Sequence, residues 1–181
     1  PFPGLGASVM VLRQSGPAGD FYNVSWPGAT GVYTGMAPGR FAGALNLAPM
    51  RKHGRGWAFD WLANRRAMFK ATGLPPGHLL RQVFETAKTY AQAKEMLTNT
   101  PLAVPAIFTL SGMQPGEGCV IERLEGEAEV FELQADQHVR ATNHFNGRFA
   151  SMGKGWHPRV MDSTGRYKQS GIGHPYGPFV I

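Results

Sequence analysis

The helical region in the middle of the chain constrains its fold most. A Leu-Pro-Pro-Gly break at 74–77 is followed by apolar residues along 78–88 at the spacing of one helix face. Thr89 then offers a side-chain cap for a second helix, and an aromatic-rich stretch from 57 to about 71 predicts another helix before the break. Strand-like runs lie on both sides of this region. The order of strands, helices and strands predicts a layered domain of sheet and helix.

The strand-like runs are short and are separated by turns that contain Gly, Pro or charged residues. They occupy residues 7–12, 21–26, 31–35 and 41–46 before the helices, and 105–111, 118–123, 128–133 and 138–142 after them. We expect the first run to be a buried strand, joined to the second by a turn at 16–20. The length of 181 residues fits one domain over residues 1–181.

Composition and charge narrow the class of protein. The chain is 43% hydrophobic and 17% charged, which is typical of a globular domain, and its net charge of +6 could attract anionic lipid headgroups. The basic residues are scattered, in pairs such as Arg51-Lys52, without the interleaved aromatics of an RNA-binding sheet, so no nucleic-acid partner is expected. The histidines lack metal-ligand spacing and no nucleotide fingerprint occurs, so neither a metal nor a cofactor is expected.

A polar motif after the last strand-like run indicates a catalytic site. Thr142-Asn143-His144 is followed by Asp162-Ser163-Thr164-Gly165-Arg166. An Asn amide and an Arg guanidinium delivered by neighbouring segments suit the stabilisation of a developing oxyanion. Three further segments precede this motif in the chain, in the order 85–98, 105–112 and 116–123.

In that order these segments resemble the β-subunit of acid ceramidase and of the N-acylethanolamine-hydrolysing acid amidase. The likeness extends over nearly the whole chain and includes Gly31-Val32-Tyr33-Thr34-Gly35 and Pro38-Gly39-Arg40-Phe41. These enzymes are N-terminal-nucleophile cysteine hydrolases of lipid amides. The resemblance therefore implies an α+β fold, a four-layer αββα sandwich with antiparallel sheets. It also implies that residues 1–181 are a β-subunit-like domain truncated at both ends.

The resemblance also implies a mechanism. In such enzymes the precursor cleaves itself so that a Cys becomes the first residue, whose thiolate attacks the amide carbonyl while its α-amino group acts as the base. By position, Asn143 would donate to the oxyanion, Asn46 would occupy the second oxyanion or substrate-carbonyl position, and Arg166 would hold the charge network. The substrate-binding positions would be Tyr33, Thr34 and His144.

Three departures from the family pattern are visible in the sequence. The nucleophilic Cys would lie upstream of residue 1. Leu47-Ala48 replace the acidic residue expected after Asn46, and Arg166 is one residue further from His157-Pro158 than the pattern places it.

The function implied is hydrolysis of linear fatty-acyl amides of the ceramide or N-acylethanolamine type. Implied partners are the fatty-acyl amide substrate and an upstream α-subunit or pro-segment, and contact with a membrane surface is possible. Two alternatives stay open at this point: a non-catalytic lipid-binding homologue, and an acyltransferase that uses the same machinery. A lysosomal location would apply in a eukaryote, and a cytoplasmic or secreted one in a bacterium.

Two conspicuous features have simpler interpretations. Cys119 precedes Val120-Ile121 in a strand-like run, so it is predicted to be a small buried hydrophobe and not a nucleophile. The aromatic residues of the first helix are predicted to pack in the core, although an acyl-chain channel or a membrane-facing patch would also use such residues. These are Trp57, Phe59, Trp61 and Phe69.

Overall fold

The computed structural model describes residues 6–134 and 139–151, which form an α+β domain. The strands are β1 (Met10–Gly16), β2 (Gly19–Ser25), β3 (Thr34–Ala37), β4 (Phe41–Leu47), β5 (Ala106–Gly112), β6 (Gly118–Arg123) and β7 (Ala128–Glu132). The α-helices are α1 (Trp57–Lys70), α2 (Pro76–Thr86) and α3 (Tyr90–Asn99), all between β4 and β5.

The strands form one antiparallel sheet in which neighbours follow the order of the chain, from β1 to β7. The three helices lie between β4 and β5 in the chain, yet these two strands are neighbours in the sheet. They pair along the whole length of β4, from Phe41 opposite Gly112 to Leu47 opposite Ala106. This pairing ties the two groups of strands into a single sheet.

The main hydrophobic core lies between one face of the sheet and helices α2 and α3. The ring of Phe84 from α2 stacks on Phe21 and Phe41, with ring centroids 5.4 and 5.2 Å apart. Leu80 and Leu97 are fully buried in the same core. We call this side of the sheet the helix face.

The opposite side, the open face, differs between its two ends. Over β1 to β3 it presents Val11, Tyr22, Val24 and Met36, with relative exposures of 64%, 37%, 39% and 51%. Over β5 and β6 it is covered by the segment 142–149. A small second core results there, made of Ile107, Val120, Leu124, Phe145 and Phe149.

Most of the predicted elements are confirmed, with shifts of one to three residues at their ends. The run 118–123 is β6 without any change, and Thr89 is the N-cap of α3, where its side chain accepts a hydrogen bond from the Gln92 amide at 3.2 Å. α2 begins at Pro76, since a proline suits the first turn of a helix, where its missing N–H is not needed.

Two strand predictions were wrong. The first strand is β1, three residues later than predicted, and its apolar side chains Met10 and Val11 are exposed instead of buried, because neither of them packs against the helices. A strand at 138–142 was also predicted, but 139–142 have no strand structure. They lie outside the ladder because this part of the chain turns across the sheet to cover the second core.

The prediction that the aromatics of α1 pack in the core was also wrong. The buried residues of α1 are Asp60 and Asn64, one turn apart, whereas Trp57, Trp61 and Phe69 are 79%, 52% and 75% exposed. The physical reason is that the preceding loop supplies polar partners. The Asp60 carboxylate accepts from the backbone N–H of residue 53 at 2.8 Å, and Asn64 donates to the carbonyl of residue 51 at 2.7 Å.

Candidate active site

Asn143 lies beside the end of strand β4. Its side-chain amide donates to the carbonyl oxygen of Leu47 at 2.9 Å, a contact between residues 96 positions apart in the chain. Next to it, the Thr142 hydroxyl and His144 Nδ1 are 2.8 Å apart. An Asn amide nitrogen carries two N–H donors, and the bond to Leu47 orients both of them at this point of the sheet.

Asn46 is brought to the same place. It precedes Leu47 in β4 and pairs across the sheet with Ile107, whose side chain belongs to the second core on the open face. Since side chains alternate along a strand, Asn46 lies on the open face, where Phe145 of the Asn143 segment also packs. The structure therefore brings Asn46 and Asn143 to the same end of β4.

The remaining predicted residues divide between the two faces. Thr34 pairs with Ala44, which is two residues before Asn46 on β4. Side chains two residues apart on a strand lie on the same face, so Thr34 lies on the open face with Asn46. The Tyr33 ring instead stacks on Trp26, with centroids 5.2 Å apart, and lies near Gly77 of α2 on the helix side. Arg166 lies outside the described residues, as do His157 and Pro158.

His144 is half-buried beside Asn143. Burial lowers the pKa of its imidazole, while a hydrogen bond with the Asn146 side chain acts in the opposite direction. The neutral imidazole therefore predominates at neutral pH, so His144 adds no full positive charge to this part of the site.

Glu122 is a functional candidate that the sequence interpretation missed. This fully buried side chain accepts hydrogen bonds from the backbone N–H of Asn146 at 2.6 Å and of Gly147 at 3.2 Å. Burial is the main reason that the pKa of its carboxyl is raised, with the nearby Glu129 raising it further. The only sequence feature that could have indicated this residue is a single acid after three apolar residues, in Cys119-Val120-Ile121-Glu122.

Cys119 is confirmed as a small buried hydrophobe. It is 0% exposed and pairs across the sheet with Leu110, in the main core on the helix face. Burial raises the pKa of its thiol, so the nucleophilic thiolate is disfavoured. Cys119 thus lies on the side of the sheet away from the second core, which contains Phe145 of the Asn143 segment.

Neither a metal centre nor a membrane span is found in the part of the chain that the structure describes. Within residues 6–134 and 139–151, no three His, Cys, Asp or Glu side chains are grouped so that they could hold a metal ion. No helix in these ranges combines the length and the apolar character needed to cross a bilayer.

Comparison with known proteins gives the class of this fold. No family model matches the chain. Among solved structures, the Caenorhabditis elegans ortholog of N-acylethanolamine-hydrolyzing acid amidase superposes with a TM-score of 0.64 at 22% identity, over 91% of this chain and 68% of that one. The domain therefore has the fold of an N-terminal-nucleophile hydrolase, although the described residues supply only one sheet and one helical side of the four-layer sandwich.

Sequence comparison gives the family. Acid ceramidase from Pan troglodytes is 38% identical over 125 residues, or 66% of this chain, and that from Homo sapiens is 36% identical over 124 residues. Acid ceramidase from Heterocephalus glaber is 34% identical over 128 residues. The chain belongs to the family of acid ceramidase and the N-acylethanolamine-hydrolysing acid amidase, and it spans about 30% of the length of these curated relatives.

Proposed function

We propose that the complete protein hydrolyses linear amide bonds in fatty-acyl amides of the ceramide or N-acylethanolamine type. The nucleophile is a Cys encoded upstream of residue 1. The observation that carries the proposal is the position of the Asn143 amide against Leu47, beside Asn46, in a chain that is 38% identical to an acid ceramidase over 125 residues.

In the proposed reaction the upstream thiolate attacks the amide carbonyl, and the α-amino group of the same Cys takes up the thiol proton. The C–N bond breaks as that proton passes to the leaving amine, and a thioester remains. Water then cleaves the thioester and releases the fatty acid. The tetrahedral oxyanion accepts hydrogen bonds from Asn143 and Asn46, while Arg166 steadies the charge of the nucleophile.

Substrate contacts are assigned to Thr34 and His144, which lie on or beside the open face, and to Tyr33, whose ring lies on the helix side against Trp26. The hydrogen bond from the Leu45 amide to the Tyr33 carbonyl, 2.8 Å long, ties the start of β3 to the end of β4. A neutral His144 suits contact with an uncharged amide, since it brings no charge that would have to be desolvated on binding.

The test is an assay of the protein expressed from its complete reading frame, with a fluorogenic fatty-acyl amide as substrate. We expect self-cleavage that exposes an N-terminal Cys, followed by turnover, and we expect substitution of that Cys by Ala to abolish both. A full-length protein that binds the substrate without turnover would identify a lipid-binding homologue. Transfer of the acyl group to an added amine, instead of release as the free fatty acid, would identify an acyltransferase.

We also propose that the upstream part of the same precursor covers the apolar open face over β1 to β3. Val11, Val24 and Met36 are between 39% and 64% exposed there, on three paired strands. A contiguous exposed apolar patch of this kind marks an interaction site. A second sheet stacked at a separation of ~10 Å would bury it, as in a four-layer sandwich.

Contact with a membrane surface is proposed for α1 and the loop before it, residues 51–70. This segment carries six of the 18 Lys and Arg residues but only one of the 12 acids. The Arg65 guanidinium lies over the rings of Trp61 and Phe69, 5.1 and 5.4 Å from their centroids. Exposed aromatics interleaved with cations are typical of helices that lie in the headgroup region of an anionic bilayer.

Sedimentation with vesicles tests the membrane proposal. Full-length protein should bind vesicles that contain phosphatidylserine more tightly than pure phosphatidylcholine vesicles. Arg66→Gln should weaken that binding by roughly fivefold, the equivalent of about 1 kcal/mol for one basic residue. Lys88→Gln, which makes the same charge change in the α2–α3 connection, is the matched control. Equal losses for the two variants, or no preference for anionic vesicles, would contradict the proposal.

A further inference from the structure

Two carboxylates on the open face hold three consecutive backbone N–H groups. Glu122 accepts from Asn146 and Gly147 at 2.6 and 3.2 Å, and Glu129 accepts from Arg148 at 2.6 Å. The two acids face each other across strands β6 and β7, where they form a cross-strand pair. The backbone 146–148 is thus fixed to the sheet by two neighbouring strands, and we call this arrangement the carboxylate clamp.

This arrangement is costly for a purely structural contact. Like charges directly opposite each other in a sheet are destabilising, and a carboxylate buried away from water carries a desolvation penalty. Arg123, the neighbour of Glu122, does not neutralise it, because its guanidinium donates to the Leu97 and Thr100 carbonyls at the end of α3 on the helix face.

The clamp restricts the segment that carries Asn143. Phe145, two residues after Asn143, is buried in the second core, and the clamped amides begin at the next residue. Gly147 lies so close to the clamp that a Cβ would collide with the Glu129 carboxylate and would be 2.5 Å from the Phe131 ring. The segment is therefore held at both ends, by Asn143 on Leu47 and by the clamp three residues later.

We propose that Glu122 and Glu129 are positioning residues for the amidase reaction, which fix the 146–148 backbone and through it the aim of the Asn143 amide. This inference rests on the proposed function of Asn143. A donor aimed at an oxyanion must be placed to within a fraction of an ångström, and a misplacement of about 1 Å can cost ~10²-fold in rate. The clamp thus acts on the catalytic step through the position of the Asn143 amide.

A double-mutant cycle in the full-length protein tests the proposal. Glu122→Gln keeps the shape of the side chain but replaces one acceptor oxygen with an N–H donor that opposes a backbone N–H. We expect it to lower kcat by about tenfold with little change in KM, and to lower kcat by less than about twofold in the Asn143→Ala background. Glu129→Gln should show the same pattern with a smaller loss.

Glu132→Gln is the matched control, since this exposed acid lies on β7 and pairs with Lys94 instead of the backbone. It should leave kcat unchanged. Hydrogen exchange should be faster at amides 146–148 in Glu122→Gln and unchanged in Glu132→Gln. A loss of the same factor in the parent and in the Asn143→Ala background, or unchanged exchange at 146–148, would overturn the proposal.

The outcomes also separate this inference from the function on which it rests. If Asn143→Ala keeps the parental rate, the proposed function of Asn143 fails, and the inference fails with it. If Asn143→Ala is impaired while Glu122→Gln is unimpaired or simply additive, only the positioning role fails. Should Glu122→Gln not fold, the cycle is run with Glu129→Gln, and additivity there overturns the proposal equally.

Discussion

At the level of single residues, the candidate site residues and the only thiol of the chain lie on opposite faces of the sheet. Asn46 and Asn143 lie on or beside the open face, whereas Cys119 is buried on the helix face. The alternation of side chains along a strand enforces this separation, since moving Cys119 to the open face would need a shift of one residue in register. The only thiol of the chain therefore serves packing.

Replacing that thiol tests its role. Cys119→Ser replaces a buried thiol of the main core with a more polar hydroxyl, so we expect a loss of ~1–3 kcal/mol in the free energy of unfolding, with kcat of the full-length enzyme within about twofold of the parent. Urea unfolding and steady-state kinetics measure the two quantities. A loss of kcat as large as that from removing the upstream Cys would make Cys119 the nucleophile and refute the assignment.

Glu122 gives a prediction for the dependence of stability on pH. Its folded-state pKa is raised, mainly by burial. Folding therefore favours the protonated form more than the unfolded chain does, and the contribution of Glu122 to stability is complete below the unfolded pKa of ~4.3 and lost as the pH rises through the raised value. Glu122→Gln removes this titration. The stability of the variant relative to the parent should therefore increase as the pH rises above ~4.3.

Thermal unfolding of both proteins across that pH range measures the difference. Glu132→Gln serves again as the control, since it removes an exposed acid that makes no contact with the 146–148 backbone. A parent that gains stability over Glu122→Gln as the pH rises would show that the hydrogen bonds to Asn146 and Gly147 outweigh burial, so that the pKa of Glu122 is lowered and not raised.

At the level of elements, the sequence predicted best where local signals agree. The cap at Thr89 and the helix start near the 74–77 break depend on neighbouring residues alone, and both are confirmed. The exposure of β1 and the inward polar face of α1 depend on which other elements pack against them. Asp60 is buried because the backbone of the preceding loop reaches it, and apolar periodicity does not report such a contact.

The same distinction applies to the candidate site. The family motif pointed to Asn143 and Asn46, and the structure brings them together through the Leu47 carbonyl. Glu122 was missed because an acid within a strand is expected to be exposed, although the run 118–123 was predicted as a strand, whereas both Glu122 and Arg123 are buried. Its partners are backbone amides, which no sequence motif identifies.

A substitution on β3 tests whether another layer of the protein covers the open face. If another layer of the protein covers this face, Met36→Lys would bury an ammonium group and lower the free energy of unfolding of the full-length protein by ~1–3 kcal/mol. Met113→Lys, in the exposed turn between β5 and β6, is the control and should be nearly neutral. Chemical denaturation compares them. A neutral Met36→Lys would mean that this face meets solvent in the complete protein.

For the whole molecule, the described residues provide one side of the proposed catalytic centre. They hold Asn46 and Asn143 at the end of β4 and fix the Asn143 segment to the sheet, while the proposed thiolate and its α-amino base come from the polypeptide before residue 1. On this proposal the two sides meet in the full-length protein. The most direct measurement must therefore follow the reaction of the nucleophile and test whether it depends on Asn143.

That measurement is the rate at which the upstream Cys becomes acylated in a single turnover, followed by intact-mass spectrometry after mixing full-length protein with a fatty-acyl amide. The parent should show one acyl adduct on the fragment that carries the Cys. Asn143→Ala should form the same adduct ~10²–10³-fold more slowly, the usual loss for one oxyanion donor, with substrate binding little changed. Asn143→Asp should be at least as slow, since it replaces the donor with an acceptor. Parental acylation rates in both variants would contradict the placement of the oxyanion site at Asn143.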